Sequence, residues 1–271
     1  MGWRVLGVDL AWAQGAGAKA ANESGVVAAD DAGRVLDAEW TVGVAATVDW
    51  IRRWASDSTL LMVDAPLVVN NPSGQRVCER QVGQRYGRWK VSANSTNRNS
   101  PRLAGLALRQ ALESSGWRYE AGFGGPPASG RVMSECYPYT AIVGCEEFGY
   151  AVRPPYKRKP RGMGVAAFRP MRAAACDGLL ARLAALGSAF DLGSHAVTAE
   201  LVGSASPLTD RDYKHREDLL DASLCVWSGL LWLRYGFGRC QVLGDPDEAP
   251  VAASIIAPAH AAQRAGSARD P

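Results

Sequence analysis

The sequence predicts an α/β domain in which a mixed β-sheet is flanked by helices. Three observations predict this class. Strand-like segments open the chain as a meander, a helical segment is followed by the wholly apolar TLLMV, and the later segments are mainly helical with strands between them. A wholly apolar strand is typical of a sheet covered on both faces. Mixed strands and helices of this kind form layered α/β domains.

The first half of the chain contains four predicted strands and one helix. The first strand is predicted by WRVLGVDLAW, which is rich in β-branched and aromatic residues. A hairpin follows, in which the turn DAG joins SGVVAAD and RVLDAEWTV. A helix is indicated by apolar residues at helical spacing in AATVDWIRRWAS. The apolar strand in TLLMVDAPL then ends at Asp64 and is stopped by Pro66.

The second half is predicted to be mainly helical. The predicted helices are GQRVCERQVGQRYG, LAGLALRQALESSG, TAIVGCEEFGY, MRAAACDGLLARLAALG and the stretch from His215 to Leu233. The predicted strands are RVMSECYP, CQVLGD and AASIIAP. One domain with helical insertions is therefore expected over residues 1–258. The Ala-rich residues 259–271 are expected to be a disordered tail.

Composition and charge limit the class of protein. Six cysteines occur without a CxxC pair, which argues against a zinc ribbon or a disulfide framework. The N-terminal segment reads as a strand and not as a secretory leader. The apolar run from Leu219 to Leu233 is too short to span a bilayer. A cytoplasmic protein without a membrane partner is therefore expected.

Basic residues are clustered although the net charge is only +3. Neither Gln81–Leu112 nor Phe148–Cys176 contains an acidic residue, and both are rich in Arg and Lys with aromatic residues between them. Such clusters are typical of proteins that bind a phosphate backbone, and they also occur as solvated faces without a partner. Two such segments favour a polyanion, and nucleic acid is the expected partner.

The stretch HREDLLDASLCVWSGLLWL predicts a buried helix that carries acids near its start. Residues from Leu219 to Leu233 lack a polar face. A spacing of three places His215, Asp218 and Asp221 in one row. Two carboxylates about 4 Å apart repel by roughly 4 kcal/mol at an effective dielectric of 20, so a cation is expected beside them. A divalent metal ion and a basic side chain are both consistent with this helix.

Three further acids lie in or at the ends of predicted strands. Asp9 lies in the first strand, Asp64 ends the fourth and Glu135 ends a later one. Carboxyl ends of strands face the crevice in which open α/β sheets bind ligands. Three to five carboxylates are hard oxygen ligands suited to Mg²⁺ or Mn²⁺. Two such ions about 4 Å apart activate water and stabilise the leaving oxygen of a phosphodiester.

A family resemblance agrees with this chemistry. The motifs GVDLAW, VDAPL, RVCE, SECYP, PPYKRKP and HREDLLDASLCVW occur in this order between Trp3 and about Pro258. Together they resemble the domain of unknown function 429 family, whose members are described as predicted nucleases of the RNase H-like fold. The segment EDLLDASLCVW also resembles the Asp-x-x-Asp-Ala helix of RuvC-type Holliday-junction resolvases and related transposases.

The resemblance implies roles for the acids. Asp9 would be a first-strand metal ligand that bridges two ions, and Asp64 would take the place of an acid that is usually a glutamate in RuvC-type enzymes. Asp218 and Asp221 would be the metal ligands of the helix. Glu135 belongs to the strand-end motif and is grouped with the catalytic acids.

The expected substrate-binding residues are mostly basic or aromatic. Lys157 is expected to contact phosphate and Arg76 to pair with an acid or contact substrate, since both match family motifs. Tyr156, Arg158 and His215 complete this set. Resolvase-like enzymes often act as dimers, so a homodimer is also expected.

The leading functional hypothesis is therefore a nuclease that depends on Mg²⁺ or Mn²⁺. A nucleic-acid-binding or regulatory module that keeps the acids without turnover is the first alternative, because intact ligands do not establish activity. An actin-like or sugar-kinase-like ATP-binding protein is the second. Such ATP-binding proteins require two copies of the core that face each other, and the sequence indicates only one.

Overall fold

The computed structural model describes residues 2–11, 22–101 and 103–264. The predicted α/β class is confirmed, since a mixed six-stranded sheet is flanked by helices. The strands are β1 (Arg4–Asp9), β2 (Glu23–Asp30), β3 (Val35–Val42), β4 (Thr59–Val63), β5 (Arg118–Tyr119), β6 (Arg131–Glu135), β7 (Cys240–Gly244) and β8 (Ser254–Pro258). The helices are α1 (Gly43–Trp54), α2 (Val77–Tyr86), α3 (Ala104–Glu113), α4 (Pro138–Gly144), α5 (Val165–Ala184), α6 (Ala196–Gly203) and α7 (Asp210–Tyr235).

The sheet combines an antiparallel meander with parallel strands. Its order is β3-β2-β1-β4-β6-β5. Strands β1, β2 and β3 are antiparallel neighbours, whereas β4 runs parallel to β1 and β6 runs parallel to β4. The predicted hairpin and the central position of the apolar strand β4 are therefore both confirmed. The described residues contain one such sheet, whereas an actin-like protein requires two facing copies.

Successive side chains of β1 point to opposite faces of the sheet. Leu6 and Val8 pack in one core cluster with Trp50 of α1, and Val5 packs in the other with residues of α7. Because side chains of a strand alternate, Asp9 lies on the same face as Val5. This is the face covered by α7, whose residues 216–232 are all buried. The prediction of a buried helix is confirmed.

Two glycines let α7 lie very close to the sheet. A Cβ atom at Gly7 would overlap the carbonyl oxygen of Ala222, and one at Gly25 would overlap that of Asp218. Gly25 is also the antiparallel partner of Asp9. The close approach at these glycines brings the acidic part of α7 to the end of β1.

We expect Gly7→Ala to destabilise the protein by about 1–3 kcal/mol or more, because overpacking forces the backbone of α7 away from the sheet. Urea unfolding measures this change. The matched control is Gly83→Ala in α2, where a Cβ meets no atom within 4 Å. The control is expected to gain up to about 1 kcal/mol from helix propensity. Equal stability of the two variants would show that the close approach is unimportant.

Two short elements were not predicted from the sequence, and one predicted helix begins earlier than expected. Strand β5 and helix α6 are too short to show a periodic pattern. Helix α7 begins at Asp210, where the Thr209 side chain accepts a hydrogen bond from the Asp212 amide. Strands β7 and β8 pair with each other in a separate two-stranded sheet.

The ordered chain extends beyond the predicted boundary at residue 258. Ala259 and Gln263 are each 1% exposed. The Gln263 side chain donates a hydrogen bond to the carbonyl of Val143 at 2.9 Å. Residues 259–264 are therefore packed and not a disordered tail, and residues 265–271 lie outside the described residues. Among the described helices, none combines the length and hydropathy needed to cross a bilayer.

Candidate metal and substrate site

Asp9 and Asp64 lie side by side because their strands are parallel neighbours. Val8 of β1 pairs with Val63 of β4, and the Asp64 amide donates a hydrogen bond to the Val8 carbonyl at 2.8 Å. Asp9 is the last residue of β1, and Asp64 follows the last residue of β4. The two carboxylates therefore meet at the carboxyl ends of adjacent strands, as predicted.

Helix α7 supplies the remaining aspartates. Ligand oxygens of Asp9, Asp64 and Asp221 lie within 4.8 Å of one another. Asp218 lines the same cleft as Asp9, and the carboxyl groups of these two residues interact. We call Asp9, Asp64, Asp218 and Asp221 the aspartate cluster. The four predicted metal ligands are thus brought together, from two strands and one helix.

Two lysines lie against the aspartate cluster. The Lys157 ammonium contacts the Asp221 carboxylate, and the Lys214 ammonium contacts that of Asp218. Glu217 lies between them, with its carboxylate 3.4 Å from the Lys157 ammonium and 3.6 Å from the Lys214 ammonium. The basic partner expected for the helix acids is therefore lysine in this structure.

A cleft of about 300 Å³ opens onto the cluster. Asp9, Asp64 and Asp218 line its acidic side. Its other lining residues include Lys157, Arg158, Lys214, Asn94, Glu23, Tyr137 and Tyr139. Acidic groups able to bind a cation therefore share one cavity with basic groups able to bind a phosphate.

Burial sets the protonation of two cluster members. Burial, and then the negative charge of Asp9, raises the pKa of Asp64 to about 8, against the opposing effect of Lys157. Burial and Asp9 likewise raise the pKa of Asp218 to about 8, and Lys214 opposes them. Burial lowers the pKa of Lys157, but the charges of Asp9 and Glu217 raise it above its usual range.

These shifts predict that the stability of the metal-free protein falls as pH rises from about 4 to about 8. In this interval the folded state keeps protons on Asp64 and Asp218 that the unfolded state has lost, since the ordinary pKa is 3.8. Asp64→Asn is expected to flatten the decline, because its side chain cannot ionise. Urea unfolding of both proteins in the presence of a chelator, at about pH 5 and about pH 9, measures the change in the free energy of unfolding with pH. Parallel pH profiles for the two proteins would contradict the prediction.

The donor set fits a hard divalent cation. The Oδ2 atom of Asp9 is buried and accepts no hydrogen bond from any residue within the described ranges, and the nearest ammonium, that of Lys214, is 4.0 Å away. With Glu217, five carboxyl groups face two lysines, so acidic groups outnumber ammonium groups at the site. All donors are oxygens, which Mg²⁺ and Mn²⁺ prefer.

A comparison with protein families places this site within a recognised domain. The family model described as "Protein of unknown function (DUF429)" matches residues 7–249. The chain belongs to the DUF429 family. The match includes every member of the aspartate cluster as well as both lysines. No curated protein and no solved structure matches the chain.

Two residues of the predicted DUF429 site, Glu135 and Arg76, form a separate buried network. The Arg76 guanidinium donates to both carboxylate oxygens of Glu135, at 2.8 and 2.6 Å, and to Oε1 of Glu79 at 2.9 Å. Arg76 is 2% exposed and Glu135 is 3% exposed. The prediction that Arg76 pairs with an acid is confirmed. A catalytic role for Glu135 and substrate contact by Arg76 are not supported, since these groups satisfy each other.

Strand β6 places Glu135 next to the end of β4. Glu135 pairs with Val63, the residue before Asp64. Asp64 and Glu135 line one small cavity with Arg76 and Glu79, but it is Arg76 that binds the Glu135 carboxylate. The Oε2 atom of Glu135 accepts a hydrogen bond from the Leu67 amide at 3.1 Å. Glu135 therefore helps to fix the turn that follows Asp64.

His215 lies outside the aspartate cluster. Its ring stacks on Trp40 with 3.7 Å between the ring centres, and its Nδ1 atom lies 2.7 Å from the Glu23 carboxylate. Each step of three residues turns a helix by 300°, because a residue turns it by 100°. His215 is therefore rotated by 120° from Asp221. The contacts of His215 are with Trp40 and Glu23, and its role in substrate binding stays a prediction.

The other predicted substrate-binding residues differ in exposure. Tyr156 is fully buried, and its hydroxyl donates a hydrogen bond to Oδ1 of Asp221 at 2.9 Å. It therefore positions the acid and does not face substrate. Arg158 is exposed on the cleft and binds the Asn94 side chain at 2.7 Å. Lys157 also lines the cleft, as expected for a phosphate contact.

Only part of the two basic segments borders the cleft. Lys157 and Arg158 line it, whereas Arg169 and Arg172 form ion pairs with Asp210. In the earlier segment, Arg109 pairs with Glu113. Sequence clustering thus overestimated the number of basic groups near the acids.

The residues of the site that were not predicted include Lys214, Glu217 and Asn94. Helical spacing contained a signal for two of them, since Lys214 precedes Asp218 and Glu217 precedes Asp221 by four residues. Residues four apart are neighbours on a helix. Asn94 lies in the polar loop KVSANSTNRNSPR, and no local pattern distinguishes it from the other asparagines there.

Proposed function

We propose that this DUF429 protein is a metal-dependent nuclease that hydrolyses phosphodiester bonds of nucleic acid. The observation that carries the proposal is the convergence of four aspartates, from β1, from the end of β4 and from α7, at a cleft that is lined by three of them and by lysine and arginine side chains. This donor set fits Mg²⁺ or Mn²⁺. The sheet, in which an antiparallel meander is continued by parallel strands, supports the RNase H-like fold that the resemblance implies.

The residues of the site divide into two groups by charge. Asp9, Asp64, Asp218 and Asp221 would hold the metal, which when bound supplies an activated water and a counter-charge for the leaving oxygen. Arg158 is exposed at the cleft and offers hydrogen bonds to phosphate oxygens. Tyr156 orients Asp221 through its hydroxyl. The depth of the aspartates requires the reacting phosphate to enter the cleft.

The test is cleavage of a labelled panel of nucleic acids. Single-stranded, duplex, branched and DNA–RNA hybrid substrates are incubated with Mg²⁺, with Mn²⁺ or with a chelator. Metal-dependent cleavage of at least one substrate is expected, and it would also name the substrate. An Asp9→Asn protein purified identically controls for contaminating nucleases. No cleavage of any substrate by folded, metal-binding protein would contradict the proposal.

A binding module without turnover is the second candidate. The observation that favours it is that the Lys157 and Lys214 ammonium groups contact Asp221 and Asp218 and so supply positive charge to these carboxylates. Nucleic-acid binding and an Mn²⁺-dependent rise in melting temperature, both without cleavage, would favour this function. The predicted homodimer is tested separately, by light scattering at several protein concentrations.

A further inference from the structure

The two lysines of the site differ in origin but contact the same acids. Lys157 belongs to the basic loop before α5, and 21% of its side chain is exposed. Lys214 belongs to the second turn of α7, and 56% of its side chain is exposed. Each ammonium contacts one aspartate of the cluster, and both lie within 4 Å of the Glu217 carboxylate. Both ammonium groups therefore lie next to carboxylate oxygens that would bind a divalent cation.

The contacts of the lysines leave the cluster only partly neutralised. Asp9 has a buried oxygen that accepts no hydrogen bond from the described part of the chain. Its nearest ammonium, that of Lys214, is 4.0 Å away. A divalent ion would bring more positive charge to these oxygens than one ammonium does, but it must first compete with the lysines.

We propose that Lys157 and Lys214 are built-in counter-ions that compete with the divalent metal for the aspartate cluster and transfer to a phosphate of the substrate. This inference rests on the proposed function. Both lysines line the cleft that the phosphate would enter. A lysine ammonium is a point charge on a flexible stem with several rotatable bonds. It can therefore exchange a carboxylate for a phosphate without movement of the backbone.

The exchange makes binding of metal and of phosphodiester cooperative. When a phosphate attracts the lysines, the carboxylates lose their competitors and bind the metal more tightly. Because linkage is reciprocal, the metal raises affinity for the phosphate by the same factor. The protein would then assemble its metal site chiefly when substrate is present.

The test measures Mn²⁺ binding by calorimetry at one pH. The variants are Lys157→Met and Lys214→Met, which keep the length of the side chain and remove its charge. We expect each to bind Mn²⁺ about tenfold more tightly than the natural protein, which corresponds to about 1.4 kcal/mol. The matched control is Lys159→Met, because Lys159 is exposed and contacts the carbonyl of Met163. Its affinity is expected to be unchanged.

A second arm adds dimethyl phosphate, a phosphodiester without bases. In the natural protein it is expected to increase Mn²⁺ affinity severalfold, and in the two lysine variants by much less. Failure of dimethyl phosphate to change the affinity of the natural protein would overturn the inference. Circular dichroism establishes that each variant is folded. If Lys157→Met does not fold, the Mn²⁺ affinity of Lys214→Met decides the test, because Lys214 is more exposed than Lys157.

The outcomes separate this inference from the proposed function. Tighter Mn²⁺ binding in the lysine variants, but not in Lys159→Met, supports the inference. Unchanged binding in the lysine variants, with loss of binding in Asp9→Asn, overturns the inference and leaves the proposed metal site in place. Absence of Mn²⁺ binding in every protein overturns both.

Discussion

Replacing Asp9 by asparagine is expected to reduce metal-dependent cleavage by on the order of 10³-fold, because a lost metal ligand removes several kcal/mol of transition-state stabilisation. Asp9 is central to the site. Its carboxylate interacts with that of Asp218 and lies within 4.8 Å of ligand oxygens of Asp64 and Asp221. An initial-rate assay on the best substrate of the panel measures the effect.

The stability of Asp9→Asn should change little. Removing the charge of Asp9 relieves its repulsion with Asp64 and Asp218, but it also removes its attraction to Lys157 and Lys214, and the two effects oppose each other. Loss of activity in this variant therefore reports on the site and not on unfolding. Asp49→Asn in α1 is the matched control, because its side chain is 74% exposed, and full activity is expected. Retained cleavage by Asp9→Asn would remove Asp9 from the mechanism.

Asp221→Asn is expected to reduce cleavage similarly but with some loss of stability. Asp221 is fully buried and contacts the Lys157 ammonium and the Tyr156 hydroxyl. Asparagine keeps a hydrogen-bond acceptor for Tyr156 but removes the charge that Lys157 faces. Added Mn²⁺ should therefore stabilise Asp221→Asn less than the natural protein in a thermal melt.

Replacing Arg76 by methionine is expected to destabilise the protein by about 3–5 kcal/mol, the cost of removing one partner from a buried ion pair. Arg76 lies between Glu79 and Glu135, and all three residues are at most 3% exposed. Without the guanidinium, both carboxylates must be protonated or remain buried as unpaired charges. Urea unfolding at about pH 7 measures the change.

Two further variants test the cause of this effect. Arg80→Met in α2 is the control, because the Arg80 side chain is exposed. This substitution is expected to change the free energy of unfolding by no more than about 0.5 kcal/mol. Adding Glu135→Gln to Arg76→Met should recover part of the lost stability, since one unpaired charge disappears. If the double variant is no more stable than Arg76→Met, the loss arises from packing and not from charge.

Sequence patterns were sufficient for the main elements of the fold. Period-two strands, the apolar strand β4 and the buried helix α7 all have strong local signals. Strand β5 and helix α6 have too few residues to show one, and tertiary contacts determine them. The packed residues 259–264 were missed because their composition is that of a tail, while Gln263 is held by the distant Val143.

The aspartate cluster was predicted because each acid ends a strand or lies in a buried helix. The same reasoning failed for Glu135, whose carboxylate is bound by the buried guanidinium of Arg76, 59 residues earlier in the chain. It also gave no indication that His215 contacts Trp40 and Glu23, because these two residues are far from His215 in the chain. Residue spacing thus defines neighbours within one element, but not the direction that each side chain faces in the fold.

By itself, the sequence determined the α/β class, the order of most elements and the four aspartates that converge. These depend on local periodicity and on the rule that parallel strands end at one edge. Only the tertiary structure decided which basic side chains contact the acids. It also decided that Arg76 binds Glu135 and does not line the cleft. Ion pairs depend on distances of a few ångströms between residues far apart in the chain, and the close approach at Gly7 and Gly25 sets those distances around α7.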